Sequence, residues 1–566
     1  MTEFFVMADC REQVYSNEYF DFIIPYGVEA EIPATTGCVQ RITEDFDIFY
    51  YPREGLPPLD ISTYTYTGIP KCYGLLDVTA LEASGILRLQ NQPVLSLKGN
   101  GVLVGFIDTG IDYTNPVFRF SDGSTRIAAI WDQSIEDGTP PDGIIYGAEY
   151  RRERINEALQ SEDPYELVPH RDENGHGTFL AGVACGSEDI ANDFIGAVPQ
   201  SQIAVVKLKQ AKPYLKDFFF IPEGVEAFSE ADVMMGVSYL DGLANRLGLP
   251  LVICLAVGNS MGSHGRDGSL ATYLNYICTR RRRSVVTAAG NEANARHHFQ
   301  GTISGEMEYE DVEINVETDV AGVFFELWAE SLELYAVSII SPTGEQFPRL
   351  PVRAGGSGDY HFIFEGTTVS VDYRVETKEA ANQLIYFRFS NLRRGLWIVR
   401  VFPENIVTGR YNMWLPLQQF TKGNVFFLRS DPDITITAPG TSGQVITVGG
   451  YQVSNGSIYQ NSGRGFTTSG EIKPDFAAPA VSVYGPGLRG NYVTMTGTSV
   501  AAAITTGAVA QIMQWALVEQ REPTLSNAGI KNMLIRGTRR NNERSYPNRE
   551  WGYGTLDVYR AFELLR

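Results

Sequence analysis

Four short apolar runs constrain the fold of this 566-residue chain more than any other feature. They cover residues 102–107, 203–208, 251–257 and 285–289, and polar side chains hardly interrupt them. Such runs are typical of strands covered on both faces, as in a parallel sheet. Residues 229–247, between the second and third runs, have helical spacing. We therefore predict an α/β fold in which helices flank a parallel sheet.

Two of these runs end in residues that can do chemistry. Asp108 follows the first run and is succeeded by Thr109 and Gly110, whereas Asn291 follows Gly290 after the last run. The carboxyl ends of parallel strands are where α/β proteins place their sites. Asp and Asn beside glycine are also common turn formers, so a turn explains each residue equally well when it is taken alone.

His176 lies between Gly175 and Gly177 and opens a predicted helix of small residues. The glycines leave the imidazole room for a close neighbour, which a structural histidine does not need. The chain has six histidines, and the others have no comparable setting: His170, His264, His297, His298 and His361. We interpret His176 as a candidate catalytic base, with a structural histidine at a helix start as the alternative.

Ser499 follows Gly497 and Thr498 and precedes an apolar run that reaches about residue 515. Small residues allow a tight turn, and the run predicts a buried helix. Ser499 would then lie at a helix N-terminus, where unpaired N–H groups and the positive end of the helix dipole can hold a developing oxyanion. The alternative is a serine that only caps the helix.

The pattern changes in the middle of the chain. Residues 312–317 alternate with period two, and further β-branched and aromatic segments follow, separated by Gly, Pro and Asn. This favours an inserted β-sandwich of jelly-roll type. We expect these domains: a small α+β module at 1–90 that ends in an extended tail, the first part of the α/β domain at 91–298, the sandwich at 299–430, and the second part of the α/β domain at 431–566.

Composition excludes several classes of protein. The formal net charge of −21 argues against nucleic acid and anionic membranes as partners. The six cysteines form no CxxC pair, so we expect reduced thiols and an intracellular or anaerobic setting. Residues 1–6 lack the pattern of a signal peptide, and no run approaches 18 uninterrupted apolar residues. No acidic loop is dense enough to assign calcium, and we expect no metal and no cofactor.

Four motifs in this order resemble those of the subtilisin-like serine proteases, or subtilases: Asp108-Thr109-Gly110, Asn174-Gly175-His176-Gly177-Thr178, Ala289-Gly290-Asn291 and Gly497-Thr498-Ser499. The resemblance covers about residues 100–298 and 430–566. It implies a serine endopeptidase in which Asp108, His176 and Ser499 are the triad and Asn291 holds the oxyanion. It also implies a substrate cleft lined by Leu255, Ala256, Val257, Gly258, Ala288, Ala289 and Gly290. The chemistry is consistent, since a serine hydroxyl needs a base and a histidine of pKa about 6.5 suits that role.

The family resemblance also implies a role for the first 90 residues. Subtilases carry an N-terminal prodomain that assists folding and leaves its tail in the cleft, so Leu87-Arg88-Leu89-Gln90 resembles such a tail. We predict self-cleavage between Gln90 and Asn91.

The absent signal, the prodomain and the inserted sandwich together resemble the clostridial Csp germination proteases. This likeness implies a protein substrate, possibly a cortex-lytic enzyme precursor, and a cytoplasmic or spore-associated place in an anaerobic bacterium. Some members of that family have lost triad residues. The alternative function is therefore a catalytically silent pseudoprotease that acts in signalling or binding.

Overall fold

The computed structural model describes residues 11–25, 38–43, 45–61, 63–64, 66–75, 82–93, 95–266, 268–329, 332–352, 356–376 and 382–565. The expected absence of a signal peptide concerns residues 1–6, which lie outside these ranges.

A small N-terminal unit packs on the rest of the protein. Its elements are α1 Arg11–Tyr15, β1 Tyr19–Pro25, β2 Cys38–Arg41, β3 Phe46–Pro52, β4 Cys72–Leu75, a 3₁₀ turn Glu82–Ser84 and α2 Ile86–Gln90. Strands β1, β3 and β2 form an antiparallel sheet in that order, whereas β4 leaves the unit and pairs elsewhere. One strand of the unit thus pairs with strands of the main domain.

The first part of the main domain alternates strands with helices, as the apolar runs predict. Its elements are β5 Leu103–Asp108, β6 Ile127–Asp132, β7 Ala148–Arg151, α3 Arg152–Gln160, α4 Pro164–Leu167, α5 His176–Cys185, β8 Gln202–Lys207, α6 Pro213–Phe218, β9 Phe228–Ser229, α7 Glu230–Leu247, β10 Leu251–Leu255, β11 Val257–Gly258, α8 Ser269–Thr279 and β12 Arg283–Ala288. Two 3₁₀ turns, Pro116–Phe118 and Ile190–Asn192, complete it.

A run of antiparallel strands follows. These elements are β13 His298–Thr302, β14 Glu310–Val316, β15 Val320–Ala329, β16 Leu334–Ile340, β17 Gln346–Leu350, β18 Ser357–Phe362, β19 Thr367–Glu376, β20 Asn382–Leu392, β21 Gly395–Asn405, β22 Arg410–Trp414, α9 Gln418–Thr421 and β23 Val425–Phe427. They form a six-stranded sheet in the order β13–β22–β15–β20–β19–β18 and a five-stranded sheet in the order β17–β16–β21–β14–β23. The two sheets share one apolar core, which makes this segment a β-sandwich.

The chain then returns to the main domain. The remaining elements are β24 Ile446–Gln452, β25 Ser457–Ile458, β26 Phe476–Pro479, β27 Val483–Pro486, a 3₁₀ turn Leu488–Gly490, β28 Tyr492–Met495, α10 Thr498–Met513, a π-helical extension Gln514–Val518, α11 Asn527–Gly537 and α12 Val558–Glu563.

A nine-stranded sheet organises the main domain, in the order β25–β24–β12–β10–β5–β8–β6–β7 with β26 beside β24. The pairs from β24 to β6 are parallel, and β7 and β25 are antiparallel at the edges. Helices α5 and α10 contribute to the apolar core on one face, and α7 and α8 to that on the other. The predicted α/β fold with a parallel sheet is therefore confirmed.

Helix α10 runs through the core of the main domain. Together with its extension to Val518, the helix has the length and the apolar composition of a membrane-spanning helix. However, 94% of its most apolar stretch is buried inside the protein. Burial among α5, β10, β12 and β24 accounts for its apolar composition.

Two expectations need correction. Residues 86–90 are not an extended tail but the helix α2, whose Ile86, Leu89 and Gln90 are buried. Cys72, Cys185, Cys254 and Cys278 are free and buried, as expected, but Cys38 is disulfide-bonded. Its partner lies outside the described residues. The local sequence around Cys38 does not predict this disulfide, because a disulfide depends on the distance between two cysteines in the folded protein.

Candidate active site

Asp108 and His176 form a buried pair at the carboxyl edge of the sheet. The His176 ring nitrogen Nδ1 lies 2.8 Å from Asp108 Oδ1, which also accepts the N–H of Thr109 at 2.8 Å. The exposed fractions of Asp108 and His176 are 1% and 4%. The structure therefore brings together two of the residues that the sequence singled out, although they are 68 positions apart.

The glycines beside His176 have distinct geometric roles. Gly175 has a φ of 91°, a conformation that a side chain would strain, and it caps α5. A Cβ atom on Gly177 would lie 2.3 Å from the carbonyl oxygen of Gly110, so the helix can approach the Asp108 turn only with glycine there. The space that these glycines leave beside His176 is occupied by the turn that follows Asp108.

Asp172 fixes the start of the same helix. Its Oδ1 accepts the N–H of Gly175 at 2.8 Å, and its Oδ2 accepts the N–H and the hydroxyl of Thr178 at 2.9 and 2.7 Å. These bonds satisfy amides that a helix start leaves unpaired. They hold the turn from which His176 projects.

Ser499 is the second residue of α10, directly after the predicted Gly497 turn. It is 0% exposed, and its Oγ has no hydrogen-bond partner within the described ranges. Helix α10 packs against α5, which begins at His176. The serine hydroxyl is therefore buried at a helix N-terminus without using its hydrogen-bonding capacity as a cap, which argues against the purely structural alternative.

Asn291 contacts the residue before Ser499. Its Oδ1 accepts both the N–H and the hydroxyl of Thr498 at 3.1 Å, and that hydroxyl accepts the N–H of Gly290 at 3.2 Å. With the amide oxygen held in this way, the Nδ2 donor is the end of the side chain left to act on an oxyanion. Asn291 thus lies at the N-terminus of α10.

The two predicted walls of the substrate cleft begin at the carboxyl ends of neighbouring strands. The first wall starts at the last residue of β10 and continues through β11, and the second starts at the last residue of β12; they consist of Leu255, Ala256, Val257 and Gly258, and of Ala288, Ala289 and Gly290. The segment from Thr437 to Ala438 joins the walls. Thr437 donates its N–H to Ala289 at 3.0 Å, and Ala438 exchanges two backbone bonds with Asn259.

Thr437 was not anticipated from the sequence. Cβ atoms built on Gly258 and Gly290 would lie 2.7 and 2.6 Å from its Oγ1, so its side chain separates the two walls. That hydroxyl is buried and has no partner among the described residues. No local motif marks this position, because its neighbours come from three separate parts of the chain.

A strand of the N-terminal unit lies along the cleft wall. In β4, Gly74 and Leu75 pair antiparallel with Gly258 and Val257, and Tyr73 and Cys72 pair with β9 on the other side. A chain segment is therefore held between two strand edges of the main domain, which is how a protein binds an extended peptide by strand addition.

Gln90 and Asn91 are not brought to this site. The Gln90 side chain donates to the carbonyl oxygens of Gly196 and Ala197 at 2.7 and 2.8 Å, and it is 3% exposed. Helix α2, which ends at Gln90, accepts a bond at the Ile86 carbonyl from Gln511. Gln511 lies about 18 Å along the α10 axis from Ser499, at a rise of 1.5 Å per residue. The expectation that Gln90 ends a tail in the cleft is therefore corrected.

Glu292, next to Asn291, is a buried carboxylic acid. Burial raises the pKa of Glu292 to about 7. The backbone N–H of Gln418 donates to the carboxylate at 3.1 Å and partly opposes this rise. His297 lies 3.8 Å away, but burial lowers the pKa of His297 to about 4. His297 is neutral near pH 7, so the two groups are not an ion pair. The charge of Glu292 thus changes near neutrality, one residue from Asn291.

The arrangement suits acyl transfer. An acid-imidazole pair, a buried hydroxyl at a helix N-terminus and a side-chain amide beside it are the parts that this chemistry requires. Among the described residues, no group of three or more His, Cys, Asp or Glu side chains could hold a metal ion.

Comparisons with known proteins point the same way. A family model described as "Subtilase family" matches residues 99–316 and 421–554. The structure is similar to that of the Clostridium perfringens CspB protease, with a TM-score of 0.77, 30% identity, and coverage of 86% of this chain and 96% of that one.

Among curated proteins, the human membrane-bound transcription factor site-1 protease is 34% identical over 140 residues, which are 23% of this chain and 12% of that protein. The C5a peptidase of Streptococcus pyogenes is 20% identical over 444 residues, which are 72% of this chain and 34% of that protein. The matched region thus covers only about a third or less of the length of these two proteins.

Proposed function

Because this chain belongs to the subtilase family, we propose that it is a serine endopeptidase that hydrolyses peptide bonds through an acyl-enzyme. The observation that carries the proposal is the buried pair of His176 and Asp108, together with a Ser499 hydroxyl that has no partner among the described residues and lies at the N-terminus of a helix packed against the His176 helix. A pseudoprotease would not need to keep this set of groups.

Each group has a role that its contacts support. Asp108 holds Nδ1 of His176, which makes Nε2 the nitrogen that takes the proton of Ser499 and returns it to the leaving amine. Asn291 and the backbone N–H of Ser499 stabilise the oxyanion of the tetrahedral intermediate. The dipole of α10 adds to this stabilisation at its N-terminus.

The N-terminal unit is the prodomain in this proposal, and its own chain is the first substrate. β4 already lies between β9 and β11 as a bound peptide would. We place the self-cleaved bond between Leu75 and Glu82 instead of after Gln90, since Gln90 is buried in α2. N-terminal sequencing of the mature protein decides between a start within residues 76–82 and a start at Asn91.

The second substrate is a separate protein, and we propose a precursor activated in spore germination, such as that of a cortex-lytic enzyme. The structural similarity to the CspB protease over 86% of this chain supports this choice. The place of action would be the cytoplasm or the spore. Replacing the native copy by Ser499→Ala and identifying the protein that accumulates uncut tests it directly.

Mass measurement of purified full-length protein tests the activity. The wild type gives two fragments, whereas Ser499→Ala gives one intact chain. Ser284→Ala is the matched control, since Ser284 is also a fully buried serine whose Oγ has no partner in the described part of the chain, but it lies within β12. It cleaves like the wild type. Intact chains in all three would contradict the proposal and support the silent pseudoprotease.

A further inference from the structure

A second buried histidine and aspartate form a pair next to the first. Nδ1 of His170 lies 2.6 Å from Asp132 Oδ2, with exposed fractions of 0% and 1%. Asp132 ends β6 as Asp108 ends β5, and both are in register with Lys207 of the intervening strand. The two pairs therefore lie along the same edge of the sheet.

The other ring nitrogen of His170 contacts the turn that carries Asp108. Nε2 lies 3.2 Å from the backbone nitrogen of Ile111, three residues after Asp108. A backbone N–H only donates, so Nε2 is the acceptor and Nδ1 carries the hydrogen that Asp132 receives. His170 thus connects the end of one strand to the turn after another, and it does so as the neutral ring.

Gly110 lies between the two histidine segments. A Cβ atom at Gly110 would lie 3.0 Å from His170 Cε1, and a Cβ atom at Gly177 would lie 2.3 Å from the Gly110 oxygen. The turn is therefore in contact with the His170 ring on one side and with the first turn of the His176 helix on the other. A shift of the ring would let the turn move away from His176.

The segment that carries both histidines is itself held. Lys207 donates to the carbonyl oxygen of Arg171 at 2.7 Å, and the Tyr113 hydroxyl donates to that of Val168 at 2.8 Å. The backbone on both sides of His170 is therefore held by side chains, one from strand β8 and one from the chain after β5. A fixed ring can set the position of the turn; a mobile one could not.

We propose that His170 is a positioning residue for peptide hydrolysis, which, anchored by Asp132, holds the Asp108 turn against His176 through the Ile111 N–H. This inference rests on the proposed function. His170 touches no reacting atom, and its effect on the rate acts through the distance between Asp108 and His176. A displacement of about 1 Å in such a site costs about 10²-fold in rate.

The first test is the rate of self-cleavage of the full chain. His170→Phe keeps a ring but loses both hydrogen bonds, and we expect cleavage about 10²-fold slower than in the wild type. His170→Gln keeps one donor and one acceptor and restores most of the rate. His298→Gln is the control, since His298 is a buried histidine with bonds to Asn412 and Asp431 in the sandwich region, and it leaves the rate unchanged.

The second test does not depend on activity. In the Ser499→Ala chain, the proton between His176 and Asp108 gives a low-field ¹H NMR resonance, identified by its loss in Asp108→Asn. We expect His170→Phe to shift or abolish it, and His298→Gln to retain it. A merely structural role for His170 would lower the melting temperature and leave this resonance in place, and that result would overturn the inference.

The two proposals fail in different ways. If the wild type itself is not cleaved, the proposed function fails, and the resonance still decides whether His170 positions the pair. If the wild type is cleaved and His170→Phe is cleaved at the same rate with an unchanged resonance, the inference about His170 is wrong and the proposed function stands.

Discussion

Replacing Lys212 with methionine tests how the N-terminal unit is retained after the proposed self-cleavage. Lys212 of the main domain lies 2.6 Å from Asp21 of β1, and each residue is 4% exposed. Removing one partner of a buried pair leaves the other charge unpaired, which costs about 3–5 kcal/mol. At 1.4 kcal/mol per tenfold change, we expect the cleaved unit to be held about 10²- to 10⁴-fold more weakly.

The assay follows the cleaved fragment by size-exclusion chromatography and the open cleft by hydrolysis of a fluorogenic peptide. Lys212→Met loses the fragment on dilution and gains peptide hydrolysis. The paired variant Asp21→Asn with Lys212→Met removes both charges and retains the fragment better than the single change.

Arg154→Met is the control for charge removal. Its ion pair with Glu157 has side chains that are 48% and 60% exposed, and such surface pairs contribute about 0–1 kcal/mol. Burial raises the pKa of Asp21, so acid neutralises the unpaired carboxyl and the defect of Lys212→Met shrinks as the pH falls. Retention of the fragment at the wild-type level in Lys212→Met would refute the reasoning.

Three further outcomes follow from the site. Asn291→Ala slows peptide hydrolysis by about 10²–10³-fold with little change in KM. This range comes from measurements on subtilisin itself and not from this structure. A normal kcat would show that Asn291 does not hold the oxyanion. Gly177→Ala forces Cβ to 2.3 Å from the Gly110 oxygen, so we expect at least about 1–3 kcal/mol of destabilisation in urea unfolding together with loss of cleavage. Glu292 has a folded-state pKa raised from 4.5 to about 7 by burial. The protonated Glu292 contributes about 3 kcal/mol to the free energy of unfolding; this contribution is complete below pH 4.5 and is lost as the pH rises to about 7. Between pH 5 and 8 the wild type therefore loses more stability than Glu292→Gln. Parallel stability profiles of the two proteins against pH would contradict this.

The parts of the site that the sequence predicts are those that depend on local pattern. Asp108 and Asn291 follow apolar strands, and Ser499 begins an apolar helix, so each is marked by its own neighbours. The parallel pairing of β5, β10 and β12 then brings the strand ends to one edge. Local pattern and sheet geometry together place these groups, and the structure adds the 2.8 Å contact with His176.

The parts that could not be predicted depend on contacts between distant segments. Pro93 suggested an extended tail, but proline disfavours helix only at the residue before it, and α2 ends earlier, at Gln90. His170 has no flanking glycines, and its role is visible only when β6 brings Asp132 beside it. Short strands such as β4 carry too little periodicity to indicate a distant partner such as Gly258, which pairs with Gly74.

The sandwich is part of the same arrangement and not an appendage, because one of its carboxylates contacts both the N-terminal unit and the loop that follows β11. Glu326 of β15 accepts the hydroxyl of Tyr66 at 2.8 Å and the N–H of Gly262 at 2.9 Å. Tyr66 precedes β4, and Gly262 follows the cleft strand β11. Burial raises the pKa of Glu326, and the donors around it, with Trp328, oppose that shift. Glu326 loses the Tyr66 hydroxyl when the N-terminal unit leaves, so departure of the unit costs more than the contacts of β4 alone. The sandwich therefore raises the free energy needed to empty the cleft.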